Sequence, residues 1–230
     1  VAATGTNNID IPAANALGIK VKNVSGYSTN SVSQYVFAQL LEFYSSTSES
    51  IQKVRQGEWQ QSPLFCVHSS KFDELAGKTL GIVGYGDIGK NIANIAEVFG
   101  MNVVIAERAN ATKTRDNRVS FDDMLKVADI VSLHCPHTPE TEHLFSHQQF
   151  AKMQPHAIII NTARGAVIDN SALLAALNNK TIAGAILDVL EQEPPPPNHI
   201  LLNPQPKNLF ITAHIAWASK QAQQKLINLI

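Results

Sequence analysis

The sequence lacks several features that mark whole classes of protein. It has two cysteines in 230 residues, Cys66 and Cys135, which is too few for a disulfide framework and favours the cytoplasm. No apolar run approaches the roughly 20 residues that span a bilayer, so we expect no membrane partner. The net charge is −1, and without a basic surplus we expect no nucleic-acid partner.

Both ends of the sequence look interrupted. Residues 1–5 predict a strand and its following turn with no lead-in, and the helical pattern of residues 221–230 stops without a cap. We therefore expect a fragment, or an incompletely covered protein. The hydrophobic share of 44% is nevertheless ample for a sizeable core.

What the sequence does contain is an alternation of short apolar runs and helical patterns. The predicted strands are residues 19–24, 79–83, 102–106, 129–133, 157–160, 183–187 and 209–212. The predicted helices are residues 31–53, 88–99, 147–153 and 170–178, with shorter ones opening at Asp10 and Ser120, and residues 57–76 form a loop. Such alternation predicts an α/β fold of the Rossmann type, with helices wound on both sides of a parallel sheet.

A glycine motif, Gly84-x-Gly86-x-x-Gly89, lies between a predicted strand and a predicted helix. In a dinucleotide turn the first glycine permits the tight bend, the second lets the backbone approach the pyrophosphate, and the third allows close helix–sheet packing. Glu107 follows Gly89 by 18 residues, at the end of the next strand. A carboxylate there suits the ribose 2′-hydroxyl of NAD, whereas the adjacent Arg108 could accommodate the 2′-phosphate of NADP. We expect NAD, with NADP the alternative.

Three unlike polar residues follow the last three predicted strands. Arg164 can grip a carboxylate or 2-keto acid with two hydrogen bonds, and His214 can exchange a proton with a carbonyl that is being reduced. Glu193 could orient that imidazole and favour its protonated form. Because ligands of an open parallel sheet bind outside the carboxyl ends of its strands, these residues predict a reaction centre. Spacing alone leaves a surface ion pair for Arg164 and a loop contact for Glu193 as alternatives.

Two histidine groupings are compatible with metal ligands but do not predict a metal site. The first, His134-Cys135-x-His137, lies at a strand end where the adenosine part of a cofactor would bind. The second, His143-x-x-x-His147, lacks the glutamate of the HExxH pattern.

Taken together, these motifs resemble those of the D-isomer-specific 2-hydroxyacid dehydrogenases, in particular the glycerate dehydrogenase/hydroxypyruvate reductase group. The matching stretches are residues 3–10 (ATGTNNID), 75–86 (LAGKTLGIVGYG), 132–136 (SLHCP), 161–165 (NTARG), 187–189 (LDV) with Glu193-Pro194, and 214–217 (HIAW). They cover nearly the whole chain in the family's order and are highly specific as a set.

The resemblance implies roles for individual residues. Arg164 would bind and polarise the keto acid, His214 would be the acid/base, and Glu193 would be its partner. Substrate would contact Arg164 and His214, and its carboxylate would meet the backbone N–H groups around Thr4 and Gly5. The implied cofactor-binding residues are Gly84, Gly86, Asp87, Ile88, Gly89, Glu107, Arg108, Cys135, Pro136, Thr162, Ala163, Asp188 and His214, with Asp188 holding the nicotinamide carboxamide.

The resemblance also implies an organisation. Residues 1–27 would be the remnant of a flavodoxin-like substrate domain, residues 28–215 an NAD-binding domain whose arm (31–76) forms a homodimer, and residues 216–230 the start of the return to the substrate domain. Because the rest of that domain should close the cleft, we expect the 230-residue chain alone to bind NAD weakly and turn over slowly.

The expected reaction is hydride transfer between NAD(H) and a small D-2-hydroxy or 2-keto acid, such as hydroxypyruvate/glycerate or glyoxylate/glycolate. Formate oxidation is disfavoured because that branch of the family lacks the partner that Glu193 supplies. A phosphoglycerate dehydrogenase remains an alternative, as does an NAD-sensing, corepressor-like binding protein.

Overall fold

The computed structural model describes residues 1–6, 9–69 and 71–230, and within them six parallel strands form one sheet. The strands are β1 (Thr79–Val83), β2 (Asn102–Ile105), β3 (Ile130–Leu133), β4 (Ile158–Asn161), β5 (Gly184–Leu187) and β6 (Leu209–Ile211). Their order is β2-β1-β3-β4-β5-β6. All six were predicted from apolar runs, and their observed ends differ from the predicted ones by at most one residue. The Rossmann-type prediction is confirmed.

Nine helices are present in the described part of the chain. They are α1 (Ile11–Ala16), α2 (Thr29–Ser45), α3 (Thr47–Arg55), α4 (Glu58–Gln61), α5 (Asp87–Val98), α6 (Phe121–Val127), α7 (His147–Phe150), α8 (Asn170–Asn178) and α9 (Lys220–Asn228). Side-chain caps begin the short ones as predicted: Asp10 accepts the N–H of Ala13, and Ser120 accepts the N–H of Asp123. Among the described residues, none of the helices combines the length and the hydrophobicity of a membrane-spanning segment.

The central strands are buried on both faces, which is typical of a parallel sheet covered by helices. In β4, Ile159 packs into one hydrophobic cluster, whereas Ile158 and Ile160 pack into another. The first cluster is completed by α6, α7 and α8, and the second by α2 and α5. Continuous apolar runs therefore form strands here because each successive side chain has a hydrophobic layer to enter.

The predicted helix over residues 31–53 is wrong in one respect: it is two helices, α2 and α3. Ser46 separates them in the left-handed conformation, with φ 46° and ψ 43°. It lies in the run Ser45-Ser46-Thr47, whose side-chain oxygens compete for backbone hydrogen bonds and so weaken a helix. The predicted loop that follows contains one further helical turn, α4.

The predictions of strands at residues 1–5 and 19–24 are also wrong. These segments run beside each other, linked by hydrogen bonds from the Val1 amino group to the Lys22 carbonyl and from the Val24 N–H to the Ala3 carbonyl. Two such contacts make no regular ladder, and an isolated pair of short segments is a poor strand pair in water. Asn7 and Asn8, part of the stretch that carries the family resemblance, lie outside the described residues.

Sheet topology places one crevice beside the ends of β1 and β3. The chain moves from β1 to β2 on one side, then returns to place β3 on the other side of β1. Ligands of such sheets bind outside the carboxyl ends of the strands at this switch point. Since all six strands are parallel, the residues that follow every strand share that edge.

Candidate active site

The glycine turn between β1 and α5 has the shape that a dinucleotide requires. Gly84 has a φ of +95°, and a Cβ there would lie 2.6 Å from the backbone nitrogen of Cys135. A Cβ on Gly89 would lie 2.3 Å from the Gly84 carbonyl oxygen, whereas a Cβ on Gly86 would meet nothing within 4 Å. Two glycines are thus needed for packing inside the protein, and the third borders open space.

The start of α5 can receive an anion. Gly86 is the N-cap residue and no side chain caps the helix, so the first N–H groups, including those of Asp87 and Ile88, are available to a ligand. The Ile88 side chain packs against the α2–α5 cluster and anchors this turn to the core. The donor set and the open face at Gly86 fit a pyrophosphate.

Alanine substitutions should separate the two kinds of glycine. We expect Gly86→Ala to change the free energy of unfolding by at most about 1 kcal/mol but to weaken NADH binding, because the new methyl group occupies the open face. Gly89→Ala should destabilise the fold by about 1–3 kcal/mol, because the added Cβ meets backbone that cannot move freely. Urea unfolding and NADH titration of both variants measure this, and equal loss of stability in the two would contradict it.

The opposite wall of the crevice is formed by the residues that follow β3 and β4. Cys135 is buried, which raises the pKa of its thiol to about 11, and Pro136 beside it is exposed. The Ala163 N–H donates to the Asn161 side chain at 3.0 Å. The Thr162 hydroxyl oxygen is buried and has no hydrogen-bond partner in the described part of the chain. A bound dinucleotide would supply such a partner.

The histidine groupings have other contacts. Burial lowers the pKa of His134 to about 3, so its ring is neutral, and it shares a hydrogen bond of 2.8 Å with the Ser132 hydroxyl. His143 pairs with Glu191 at 3.1 Å. Within residues 1–6, 9–69 and 71–230, no three His, Cys, Asp or Glu side chains converge as metal ligands.

Glu107 follows β2, as predicted, but its carboxylate is already engaged. Its side chain is 4% exposed and is paired with the guanidinium of Arg115. That contact, followed by a hydrogen bond from the Arg108 N–H, lowers the pKa of Glu107 well below its usual range. No sequence pattern predicts this pair, because the spacing of two residues across an irregular loop does not indicate contact. The ribose role of Glu107 and the phosphate role of Arg108 stay predictions.

The structure brings Glu193 and His214 together. The Nδ1 atom of His214 lies 2.6 Å from Oε2 of Glu193, and the other oxygen of Glu193 accepts the Leu190 N–H at 2.9 Å. The two side chains are 39% and 35% exposed, so the pair faces solvent at the sheet edge. A histidine held through Nδ1 presents Nε2 to whatever binds beside it, which is the arrangement of an oriented acid/base.

The turn that carries His214 is held by Asp188. His214 has a φ of +53°, and its N–H donates to the Asp188 carbonyl at 2.7 Å. The Asp188 carboxylate, 1% exposed, accepts hydrogen bonds from the Thr212 hydroxyl and from the N–H groups of Ile215 and Ala216. The predicted nicotinamide contact of Asp188 stays a prediction, and the structure adds its contacts to the His214 turn.

Arg164 lies at the same edge, after β4. The next residue, Gly165, packs so closely on the segment after β5 that a Cβ there would lie 1.9 Å from the Leu190 carbonyl carbon. This contact joins the Arg164 loop to the segment that leads to Glu193. Sequence reasoning missed Gly165 because its reason is an approach between two loops; a glycine directly after the arginine was the available signal.

A second residue missed from the sequence is Tyr27, which is buried ahead of α2. Burial raises the pKa of its phenol, and the positive charge of Arg164 offsets part of that rise. Its ring packs edge-on against Trp217, with ring centroids 6.3 Å apart.

Thr4 and Gly5 lie in the segment of residues 1–5, where the Thr4 carbonyl accepts a hydrogen bond from the Asn23 side chain at 2.6 Å. Their substrate role stays a prediction.

A parallel doubly wound sheet, a glycine turn at its switch point and a carboxylate–histidine pair on the same edge together define a dinucleotide-dependent dehydrogenase. The sequence profile of the D-isomer specific 2-hydroxyacid dehydrogenase NAD-binding domain matches residues 37–216. The chain belongs to that family. It is an enzyme whose reaction moves a hydride between a nicotinamide dinucleotide and a 2-hydroxy or 2-keto acid.

Individual relatives agree with the family assignment. The chain is 42% identical over 226 residues to the glycerate dehydrogenase of Methylorubrum extorquens, covering 98% of this chain and 71% of the relative. It superimposes on the NADPH-dependent glyoxylate/hydroxypyruvate reductase of Sinorhizobium meliloti, in complex with NADP and malonate, with a TM-score of 0.83, 30% identity and coverage of 99% and 70%. For the D-lactate dehydrogenase of Lactobacillus jensenii with NAD⁺, the TM-score is 0.77, with 30% identity and coverage of 99% and 71%.

Proposed function

We propose that this protein reduces a small 2-keto acid, hydroxypyruvate or glyoxylate, to the D-2-hydroxy acid with NADH, and catalyses the reverse oxidation. The observation that carries the proposal is the Glu193–His214 pair, 2.6 Å between Oε2 and Nδ1, on the sheet edge that also holds Arg164 and the glycine turn. The named activities of the Methylorubrum and Sinorhizobium relatives favour these two substrates over other keto acids.

Each of the three residues has one task in this reaction. Arg164 binds the keto acid through its planar guanidinium, which can donate two parallel hydrogen bonds and draw electron density from the carbonyl. His214 gives its Nε2 proton to the carbonyl oxygen during reduction and takes it back during oxidation. Glu193 holds Nδ1, so the ring keeps one orientation while its charge changes. Backbone N–H groups at Thr4 and Gly5 complete the carboxylate site.

The dinucleotide would lie along the crevice from the glycine turn to His214. Gly84, Gly86, Gly89 and the start of α5 would hold the pyrophosphate. The residues that would line the rest of the cofactor site are Asp87, Ile88, Glu107, Arg108, Cys135, Pro136, Thr162, Ala163 and Asp188. When bound, the nicotinamide supplies the hydride that adds to C2 of the keto acid. The protein supplies orientation and the matching proton.

We infer a homodimer formed through the arm at residues 31–76. Its apolar side chains are unusually exposed: Trp59 by 52%, Leu64 by 63%, Phe65 by 90% and Phe72 by 83%. Exposed apolar groups concentrated in one segment favour a protein–protein contact.

We also propose the cytoplasm as the compartment, since both cysteines are free. We further propose that the chain divides near residues 27 and 215 into parts of a substrate domain and an NAD-binding domain.

A substrate panel tests the proposed activity. Loss of NADH absorbance is followed with hydroxypyruvate, glyoxylate, pyruvate and phosphohydroxypyruvate, with formate and NAD⁺ as a separate reaction. We expect kcat/KM to be highest for hydroxypyruvate or glyoxylate. A clear preference for phosphohydroxypyruvate would replace the proposal with a phosphoglycerate dehydrogenase, and NADH binding without turnover of any acid would point to a sensing role.

A further inference from the structure

The carboxylate of Glu107 has no free position for a ligand. Oε1 accepts the Arg108 N–H at 2.9 Å and the Nη2 group of Arg115. Oε2 accepts the Arg115 N–H at 3.1 Å and its Nε at 2.7 Å. A carboxylate offers about four acceptor positions, and all of them are directed at protein donors. A ribose hydroxyl could bind Glu107 only by displacing one of these contacts.

The loop after β2 is built around this buried carboxylate. The loop closes where the Glu107 N–H donates to the Val119 carbonyl, at 2.8 Å, and the Val119 N–H donates back to Ile105. Arg118 reaches across the closure to the Ala106 carbonyl at 3.3 Å. Glu107 therefore holds Arg115 from inside the loop, and the Arg115 side chain remains 55% exposed at its surface.

Charge on this loop is mainly positive toward solvent. Residues 107–118 contain four basic and two acidic side chains, and one of the acids, Glu107, is the buried one. Arg108, beside it, is exposed and lies near enough to Glu140 to help lower the pKa of that carboxyl, after the larger effect of Thr138. The position that normally presents a carboxylate to the ribose presents guanidinium groups here.

We propose that Arg115 determines the cofactor specificity of this protein: by occupying both oxygens of Glu107 it masks the carboxylate that would repel a 2′-phosphate, so NADPH is accepted as well as NADH. A carboxylate after the second strand favours NAD through its hydrogen bond to the 2′-hydroxyl and its charge. Both effects require an exposed anion. Paired with Arg115, Glu107 supplies neither, and Arg115 acts as a positioning residue. The inference rests on the dinucleotide site of the proposed function and not on its keto-acid substrate.

Dissociation constants of the unmodified protein give the first test. Nicotinamide fluorescence is titrated with NADH and with NADPH in the absence of keto acid, which makes the result independent of turnover. We expect the two constants to lie within about tenfold of each other, a difference of about 1.4 kcal/mol. Discrimination against NADPH of more than about a hundredfold would overturn the proposal, as would failure to bind either dinucleotide.

Variants of the pair give the second test. Arg115→Met exposes the Glu107 carboxylate with its charge in place, so NADPH should bind about 10–100-fold more weakly. NADH should bind at least as tightly as before, because the freed carboxylate can accept the ribose 2′-hydroxyl. The double variant Glu107→Gln/Arg115→Met should regain most of the lost NADPH affinity. Lys113→Met, which removes another cation from the same loop, is the matched control and should leave the NADH/NADPH ratio unchanged.

The outcomes separate specificity from stability. Thermal melting identifies any variant that does not fold. If Arg115→Met does not fold, Arg115→Lys takes its place, because lysine keeps a cation but cannot bridge both oxygens of Glu107. The NADH/NADPH affinity ratio should then shift in the same direction by a smaller factor. If Arg115→Met weakens both dinucleotides equally, Arg115 has only a structural role and the inference is overturned. If both dinucleotides bind but no keto acid is reduced, the proposed function fails while the cofactor inference stands.

Discussion

Replacing His214 with asparagine should lower kcat for keto-acid reduction by about 10²–10⁴-fold, the range that general acid–base catalysis contributes. Asparagine cannot donate and accept a proton at neutral pH, although it is polar and no larger than the ring it replaces. The NADH dissociation constant should change little, because the glycine turn and α5 are untouched. Steady-state rates and NADH titration on the same preparation measure both quantities.

His156 provides a matched control for this substitution. Its Nε2 atom lies 2.6 Å from Asp129, much as Nδ1 of His214 lies 2.6 Å from Glu193, but Asp129 precedes β3 and so lies at the opposite edge of the sheet. His156→Asn should leave kcat within about twofold of the unmodified value, well below the effect of an acid/base residue. An equal loss in both variants would show that His214 matters for stability rather than for proton transfer.

Removal of the Arg164 guanidinium should have a comparable effect on a different constant. Arg164→Met should lower kcat/KM for the keto acid by about 10²–10⁴-fold, since each of two hydrogen bonds to a charged group contributes about 1.5–3 kcal/mol. Arg164→Lys restores the charge but not the planar pair of donors, so it should recover only part of the activity. Initial-rate measurements over a range of keto-acid concentrations give these ratios.

The result for Arg164 is specific only if cofactor binding survives. NADH should bind both variants with about the affinity of the unmodified protein, because the close approach of Gly165 to Leu190 still anchors the Arg164 loop. Full recovery of kcat/KM in Arg164→Lys would mean that charge alone suffices. Weakened NADH binding in both variants would place Arg164 on the cofactor instead of the keto acid.

The six strands could be predicted from the sequence because their burial requires runs of apolar residues. A strand covered by helices on both faces needs consecutive apolar residues, and Ile158, Ile159 and Ile160 supply them. The strand prediction for residues 19–24 was wrong because an apolar run is not sufficient by itself. An apolar run forms a strand only where neighbours supply a ladder, and that segment has a single backbone hydrogen bond to residues 1–5 apart from the chain-end contact of Val1.

The break between α2 and α3 shows where local pattern is insufficient. Residues 45–50 contain no apolar side chain that would mark a helical face, and the left-handed conformation of Ser46 divides the two helices there. Serine is compatible with a helix, a cap or a turn, so the sequence permits all three. Propensity differences of a few tenths of a kcal/mol are easily overridden by packing.

The amino-acid pattern is sufficient to predict the fold class, the glycine turn and the order in which Arg164, Glu193 and His214 reach one sheet edge, because the ends of parallel strands meet at one edge whatever path the loops take. The contacts around the site come from three-dimensional packing instead: Arg115 pairs with Glu107, three donors bind the Asp188 carboxylate, and Leu190 lies against Gly165. The apolar pattern that marks a buried strand is local in sequence, whereas contacts between loops depend on rotamers and backbone paths that packing selects.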